Sequence, residues 1–441
     1  MKVLWAITGL AVLALSAATV LLARQAGALE RLRQQAAVRA SAADERILFL
    51  AAAEGQETTD LWVVPARGGQ ATRLAENVEV HSFGQASPVS LISDGDERRL
   101  AFLQGPPEAM RLVTLDLDTG ERGELFVASD GWWLASPSAS PDGRRLAFIS
   151  HEPPPDEEFS GDLSAALYVV NTSDGDIEQR LEPVPVWTPL AWSPDGQWLA
   201  ANTGQARSPK LTLLPAAGGG PPQTLSFHAA WLAAWSPDGA WLTTAHWELG
   251  GGPKLVSWDV VAGREVDLPL HGTGPGVRPA SVFNPAWSPD GTRLLYQAGM
   301  DSWSMGLYVV GREGGEPLEL FAEAASTVWW ACWSPDGEQV AFLVARGGGR
   351  DRSPLEMDGY VVQPDGQGLW QVDAGIEGRV QWMAWSPDGR RLAFALNGEG
   401  DELSPGQLYT VDLEERSPKV LHEGLRGYSY PLWLAATAGD E

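Results

Sequence analysis

An all-β fold, one sheet unit repeated down the chain, is predicted by three observations. Ser-Pro-Asp-Gly occurs six times in the 441 residues, beginning at Ser140, Ser193, Ser236, Ser288, Ser334 and Ser386. The copies stand 43 to 53 residues apart, the span of a four-stranded sheet with its turns. Glycine and proline number 49 and 32, a composition that favours short strands and tight turns over long helices.

The chain opens differently. Leu4 to Ala23 carry no charge, with Lys2 before them and Arg24 after. At about 1.5 Å per residue the run covers a bilayer core of about 30 Å. Residues 1–23 are therefore expected to be a membrane anchor. A cleaved signal sequence is the competing reading, because Ala26-Gly27-Ala28 resembles a cleavage site; the apolar run is longer than the usual signal core. Residues 24–44, rich in Ala, Gln, Leu and Arg, read as a helical stalk, and residues 45–441 as the repeat domain.

Within each repeat the tetrapeptide is a hairpin turn. Proline presets φ for the second position of a type I turn, aspartate tolerates the third, and glycine takes the left-handed conformation that closes the hairpin. The serine hydroxyl can bond the turn backbone. Asp142, Asp195, Asp238, Asp290, Asp336 and Asp388 are thus structural turn residues. Trp192, Trp235, Trp287, Trp333 and Trp385 directly precede the serine, and a tryptophan fixed in each unit reads as packing between neighbouring sheets. Runs such as Leu307 to Val310 and Leu408 to Val411 supply a third strand, and segments such as Pro317 to Phe321 a fourth.

Arg46 to Ala53, Leu61 to Val64 and Thr72 to Leu74 look like a unit lacking its first strand, and Tyr430 to Ala436 like a first strand alone. Pairing them would close a ring and remove exposed sheet edges. The count of second-strand signals is eight; seven is the fallback, because residues 76–127 hold only the damaged turn Ser93-Asp94-Gly95. The expected fold is a β-propeller of four-stranded antiparallel blades behind one N-terminal transmembrane helix.

Ala-Trp-Ser-Pro-Asp-Gly followed by a Leu-Ala-Phe strand resembles the WD40-like propeller repeats of TolB. Similar repeats occur in the propellers of prolyl oligopeptidases and dipeptidyl peptidase IV. The resemblance covers about residues 46–436 and implies the fold; turn and core residues imply little about function. TolB's six blades follow an α/β domain, whereas this chain shows eight units and no such domain. The peptidases carry a GxSxG elbow. Gly427-Tyr428-Ser429-Tyr430 starts similarly, but Pro431 stands where glycine is needed.

No phosphate loop or HExxH occurs, and the six histidines are scattered. The lone Cys332 excludes an intramolecular disulfide and a cysteine zinc site. The acidic turns at Asp94 to Glu97 and Asp174 to Asp176 fall short of an ordered calcium loop. The expectation is therefore a protein that is not an enzyme, without cofactor or metal. The net charge of −26 repels nucleic acid. The expected partner is a protein or peptide, taken on the face opposite the Ser-Pro-Asp-Gly turns. That face carries the long segments His151 to Ala165, Pro269 to Val282, Ala345 to Met357 and Asn397 to Pro405. His271 and Arg278 lie in the second. Trp132, His228, Trp329, Arg379, Arg426 and Tyr428 fall near the starts of first strands, and aromatics with arginine suit a recognition surface. A small ligand such as a glycan in the central channel, and a hydrolase or lyase using channel carboxylates, stay open as alternatives. Resemblance to exported propellers implies an extracytoplasmic domain in the cell envelope; Arg24, Arg31, Arg33 and Arg39 after the anchor argue for the cytoplasmic orientation instead.

Overall fold

The computed structural model describes residues 45–434 apart from 53–57, 80–87, 95–96, 107–108, 129–130, 153–163, 186–187, 189, 206–208, 219, 229–232, 249–251, 272–280, 302–303, 347–355, 375, 377 and 398–404. The expected anchor and stalk, Arg278 and most of the four long segments lie outside the described residues. Among the described residues no helix is long and apolar enough to cross a membrane.

The described elements are strands. β1 (Arg46–Ala52), β2 (Asp60–Pro65) and β3 (Thr72–Ala75) come first. Four-stranded antiparallel sheets follow: β4 (Val89–Asp94), β5 (Glu97–Gln104), β6 (Arg111–Asp116) and β7 (Arg122–Val127); then β8 (Trp133–Ala139), β9 (Arg145–His151), β10 (Ser164–Asn171) and β11 (Ile177–Pro185). The next comprise β12 (Ala191–Trp192), β13 (Trp198–Thr203), β14 (Lys210–Pro215) and β15 (Gln223–His228); and β16 (Ala233–Trp235), β17 (Trp241–Glu248), β18 (Gly252–Asp259) and β19 (Arg264–Leu268). Two further sets are β20 (Ser281–Trp287), β21 (Arg293–Asp301), β22 (Ser304–Gly311) and β23 (Gly314–Phe321), and β24 (Ser326–Trp333), β25 (Val340–Arg346), β26 (Glu356–Val362) and β27 (Trp370–Gln371). A single parallel pair, Met305 with Thr327, joins these two. The stretch around the damaged turn thus forms a sheet like the others, with Asp94 opposite Glu97.

The last strands are β28 (Arg379–Trp385), β29 (Arg391–Asn397), β30 (Pro405–Asp412) and β31 (Ser417–Leu434). β31 serves twice. Its first half pairs with β30, from Ser417 opposite Asp412 to Arg426 opposite Pro405. Its second half pairs with β1, Trp433 opposite Ile47 and Leu434 opposite Arg46. The first and last described strands therefore share one sheet, β28-β29-β30-β31-β1-β2-β3.

Apolar clusters lie between successive sheets and hold them face to face. One joins Leu167 and Val169 to Leu199 and Leu214; another joins Leu343 and Val361 to Leu392 and Phe394. A third joins Ala393 and Leu408 to Ile47 and Phe49. Second strands are apolar on both faces because a sheet covers each side. Phe102, Phe148, Phe342 and Phe394, from the Leu-Ala-Phe position or its equivalent, are fully buried.

Three of the five repeat tryptophans link the sheets by a hydrogen bond, while the indole nitrogens of Trp287 and Trp385 are buried and make no such bond among the described residues. The indole N–H of Trp192 donates to Ser138 O (3.0 Å), Trp235 to Ala191 O (3.0 Å) and Trp333 to Ala286 O (3.0 Å). Each bond runs from one first strand to the first strand before it. Trp433, outside any intact motif, does the same to Ala384 O (2.9 Å) and stacks under Arg391 (4.9 Å). Arg293 lies over Trp333 likewise (5.1 Å).

All six turns share one bonding pattern. The buried serine Oγ donates to aspartate Oδ1 at 2.5–2.6 Å. It accepts from the backbone N–H five residues on at 2.9–3.0 Å. The glycine has φ of +67° to +72°, which a side chain would strain. Around Asp142, Asp238 and Asp388, burial opposes ionisation, but the serine hydroxyl, a backbone N–H and a nearby arginine outweigh it and hold the carboxyls low. The Ser288 hydroxyl is the main cause that brings Asp290 down to about 2.

Candidate functional site

Five of the first strands are broken at one level by a β-bulge. Ser136 and Pro137 in β8, Asn284 and Pro285 in β20, Trp329 in β24, Gln381 in β28, and Tyr430 and Pro431 in β31 are the extra residues. A bulge leaves a residue unpaired and re-aims its side chain. Ser136, Asn284 and Tyr430 are held at φ of +55°, +52° and +49°. Side-chain-bearing residues seldom adopt this region, and such strain concentrates where a surface is built to bind.

Two bulges carry an amide and aromatic station. Asn284 Nδ2 donates to Gln297 Oε1 (2.8 Å) and more weakly to the Trp329 carbonyl (3.4 Å). Gln297 is buried, and its Nε2 has no hydrogen-bond partner among the described residues. Trp329 is 53% exposed, in contrast to the buried Trp192, Trp287 and Trp333. Two others carry an arginine and aromatic station. The Trp382 and Tyr430 rings stack at 4.2 Å between β28 and β31. Arg379 begins β28 three residues before Trp382, and Arg426 precedes Tyr430 by four. Both arginines are half-buried.

A charged cluster occupies the same end of β24 to β26. Arg346 bonds Glu323 (2.8 Å), Asp358 and the Tyr360 hydroxyl (3.0 Å). The arginine holds the Glu323 carboxyl low. Asp373 is buried and accepts from the Gly359 N–H (3.3 Å); burial first, then the charge of Asp358, pushes its carboxyl up to about 6. Among the described residues no group of three or more His, Cys, Asp or Glu side chains is placed to hold a metal. The Asp174-Gly175-Asp176 turn instead packs on the neighbouring sheet, where a Cβ on Gly175 would meet Leu125 O at 2.6 Å.

The residues singled out in the sequence fall into separate places. Trp132 is half-buried just before β8, and Trp329, Arg379 and Arg426 lie on first strands or at their starts. Tyr428 lies in β31 and His228 ends β15 opposite Lys210; their side chains lie outside the described residues. His271 is exposed but set over the middle of the next sheet. It stacks on Tyr308 (4.6 Å), gives its N–H to the Tyr296 hydroxyl (3.0 Å) and faces Glu319 (3.5 Å). Asn284, Gln297, Trp382 and Tyr430 were missed. Asn284 and Tyr430 carried a signal, an Asn-Pro or Tyr-Pro step inside a strand, where proline marks a bulge, whereas Gln297 and Trp382 carried none.

No family model matches the chain. Over 158 residues it is 31% identical to an uncharacterised peptidase, YuxL, of Bacillus subtilis strain 168, covering 29% of this chain and 24% of the relative. The chain thus spans about a quarter of the length of the curated relative it matches. Among solved structures, a prolyl endopeptidase superposes with a TM-score of 0.55 at 12% identity, covering 79% of this chain and 50% of that one. The dihydro-heme d1 dehydrogenase NirN gives 0.57 at 16%, covering 87% and 74%. TolB of Acinetobacter baumannii gives 0.41 at 13%, covering 85% and 78%. At these identities the likenesses concern the fold. The expectation of a protein that is not an enzyme is corrected by the sequence match to a relative that is named a peptidase. That expectation rested on motifs not found in a sequence dominated by turn and core residues. The fold, four-stranded antiparallel sheets packed in succession, is that of a β-propeller.

Proposed function

We propose that the chain works in peptide hydrolysis and that its propeller takes up the peptide. The observation that carries this reading is the 31% identity over 158 residues to a relative named a peptidase. The geometry supports it. A peptide backbone offers alternating donors and acceptors, and the Asn284 and Gln297 amides can meet both kinds. The exposed Trp329 ring beside them offers a flat apolar surface for a side chain.

In this reading the propeller has eight blades and closes through β31, supported by its pairing with β1 and by the apolar cluster shared with β29 and β30. The first strands then line a channel, and the bulges sit along it. Residues 4–23 anchor the chain in a membrane, and the propeller lies outside the cytoplasm, where peptides reach it from the cell envelope. The test is full-length protein in detergent, incubated with mixed peptides of about ten residues and with folded proteins, with products identified by mass spectrometry. Cleavage of the peptides, slowed by Asn284→Ala together with Trp329→Ala, is the expected result. If no peptide is bound or cut, the reading fails.

A further inference from the structure

The arginine and aromatic station takes a more specific ligand than a generic peptide. Acidic residues outnumber basic ones by 57 to 31 in this chain, and nine of the described arginines meet a carboxylate. Arg145 holds Glu178 (2.6 Å), Arg312 holds Asp238 (2.7 Å), Arg391 holds Glu45, and Arg346 holds two. Arg379 and Arg426 do not. Neither has an ion-pair partner among the described residues, and the Arg379 Nε is buried without a hydrogen-bond acceptor there. A half-buried guanidinium with its donors unmet costs stability. In a chain so rich in carboxylates, this buried Arg379 nitrogen beside a second arginine without an ion pair, Arg426, requires an explanation.

Their placement supplies it. β28 and β31 run side by side, tied by the Trp382 and Tyr430 stack and by the bond from Trp433 to Ala384. Arg379 and Arg426 stand at the same end of these two strands, each about one strand turn above its stacked ring. We infer that this rim is a carboxylate-binding subsite, in which Arg379 and Arg426 hold the carboxylate and the face of the Trp382–Tyr430 pair holds the apolar group next to it. Guanidinium groups match a carboxylate with paired, charge-assisted hydrogen bonds. The inference rests on the peptide reading above and narrows it: the preferred peptide brings a carboxylate, from its own C-terminus or from an acidic side chain.

Isothermal titration calorimetry on the full-length protein in detergent tests this with four probes: Ala-Ala-Phe, its C-terminal amide, the amide of Ala-Glu-Phe, and N-acetylphenylalanine. The free acid Ala-Ala-Phe is expected to bind about tenfold more tightly than its amide. Arg379→Gln or Arg426→Gln should remove that preference while leaving the melting temperature near that of the unaltered protein. The acid-to-amide comparison on the unaltered protein needs no variant. Tight binding of the Ala-Glu-Phe amide assigns the carboxylate to a side chain, and tight binding of the free acid alone assigns it to the terminus; both uphold the subsite. Equal binding of Ala-Ala-Phe and both amides overturns the subsite and leaves the peptide reading standing. Binding of N-acetylphenylalanine that is lost in Arg379→Gln, with no peptide bound, upholds the subsite and overturns the peptide reading. Binding of none of the four overturns both.

Discussion

Replacing Asp373 by asparagine removes a charge that the fold holds in an unfavourable place. The carboxyl is 2% exposed and sits near Asp358. An ordinary aspartate loses its proton near pH 3.8, and Asp373 near about 6. The unfolded chain therefore releases this proton first. Stability is greatest below the unfolded value, falls as the pH rises towards the folded value, and is level above it. Each tenfold difference in proton affinity corresponds to about 1.4 kcal/mol, so the ionised side chain costs the folded state about 3 kcal/mol at pH 8. Asparagine keeps an oxygen for the Gly359 N–H and carries no charge. Asp373→Asn should therefore gain about 3 kcal/mol at pH 8, or about 4 °C in melting temperature for a domain of this size. At pH 4 the gain should shrink to about 0.5 kcal/mol. Calorimetric melts of both proteins from pH 4 to 8 read this directly. A gap that is absent at pH 8, or equal at both ends, would refute the placement of a buried, ionised carboxylate here.

Two further outcomes follow from the repeat. Ser288→Ala deletes a buried hydroxyl that donates to Asp290 and accepts from the Arg293 N–H, and should cost about 1–3 kcal/mol in urea unfolding. In an NMR titration Asp290 should then move up from about 2 towards an ordinary aspartate. Trp433→Phe removes the bond to Ala384 and weakens the Arg391 stack where the first and last described strands meet, and should cost about 1–2 kcal/mol. Trp329→Phe, on an exposed ring, should stay within about 0.5 kcal/mol in the same urea unfolding. Equal losses would mean that the two tryptophans do not differ in role.

That last contrast explains which parts of the molecule could be read from the sequence. The turns were legible because each bond in them joins residues no more than five apart: Ser288, Asp290 and Arg293 stand together in the sequence as in the structure. The links between sheets were legible because the same Trp recurs at the same place, so repetition substituted for contact. Trp433 follows no intact motif, yet it makes the same bond as Trp192, and only its position in a first strand shows it. The binding surface obeys the opposite logic. Trp329 lies four residues before Trp333, within one strand, and a single bulge turns one ring outward while the other is buried. The Asn284–Gln297 and Trp382–Tyr430 pairs join residues from separate strands, and the proline step that marks one member of each does not announce the other. Repetition encodes what every sheet needs. Arg379 and Arg426 depart from it, standing on neighbouring first strands without the carboxylate partners that Arg145, Arg312 and Arg391 have. What sets them apart is place: two arginines without an ion pair stand at the same end of adjacent first strands, above a stacked aromatic pair, an arrangement suited to a carboxylate that arrives from outside.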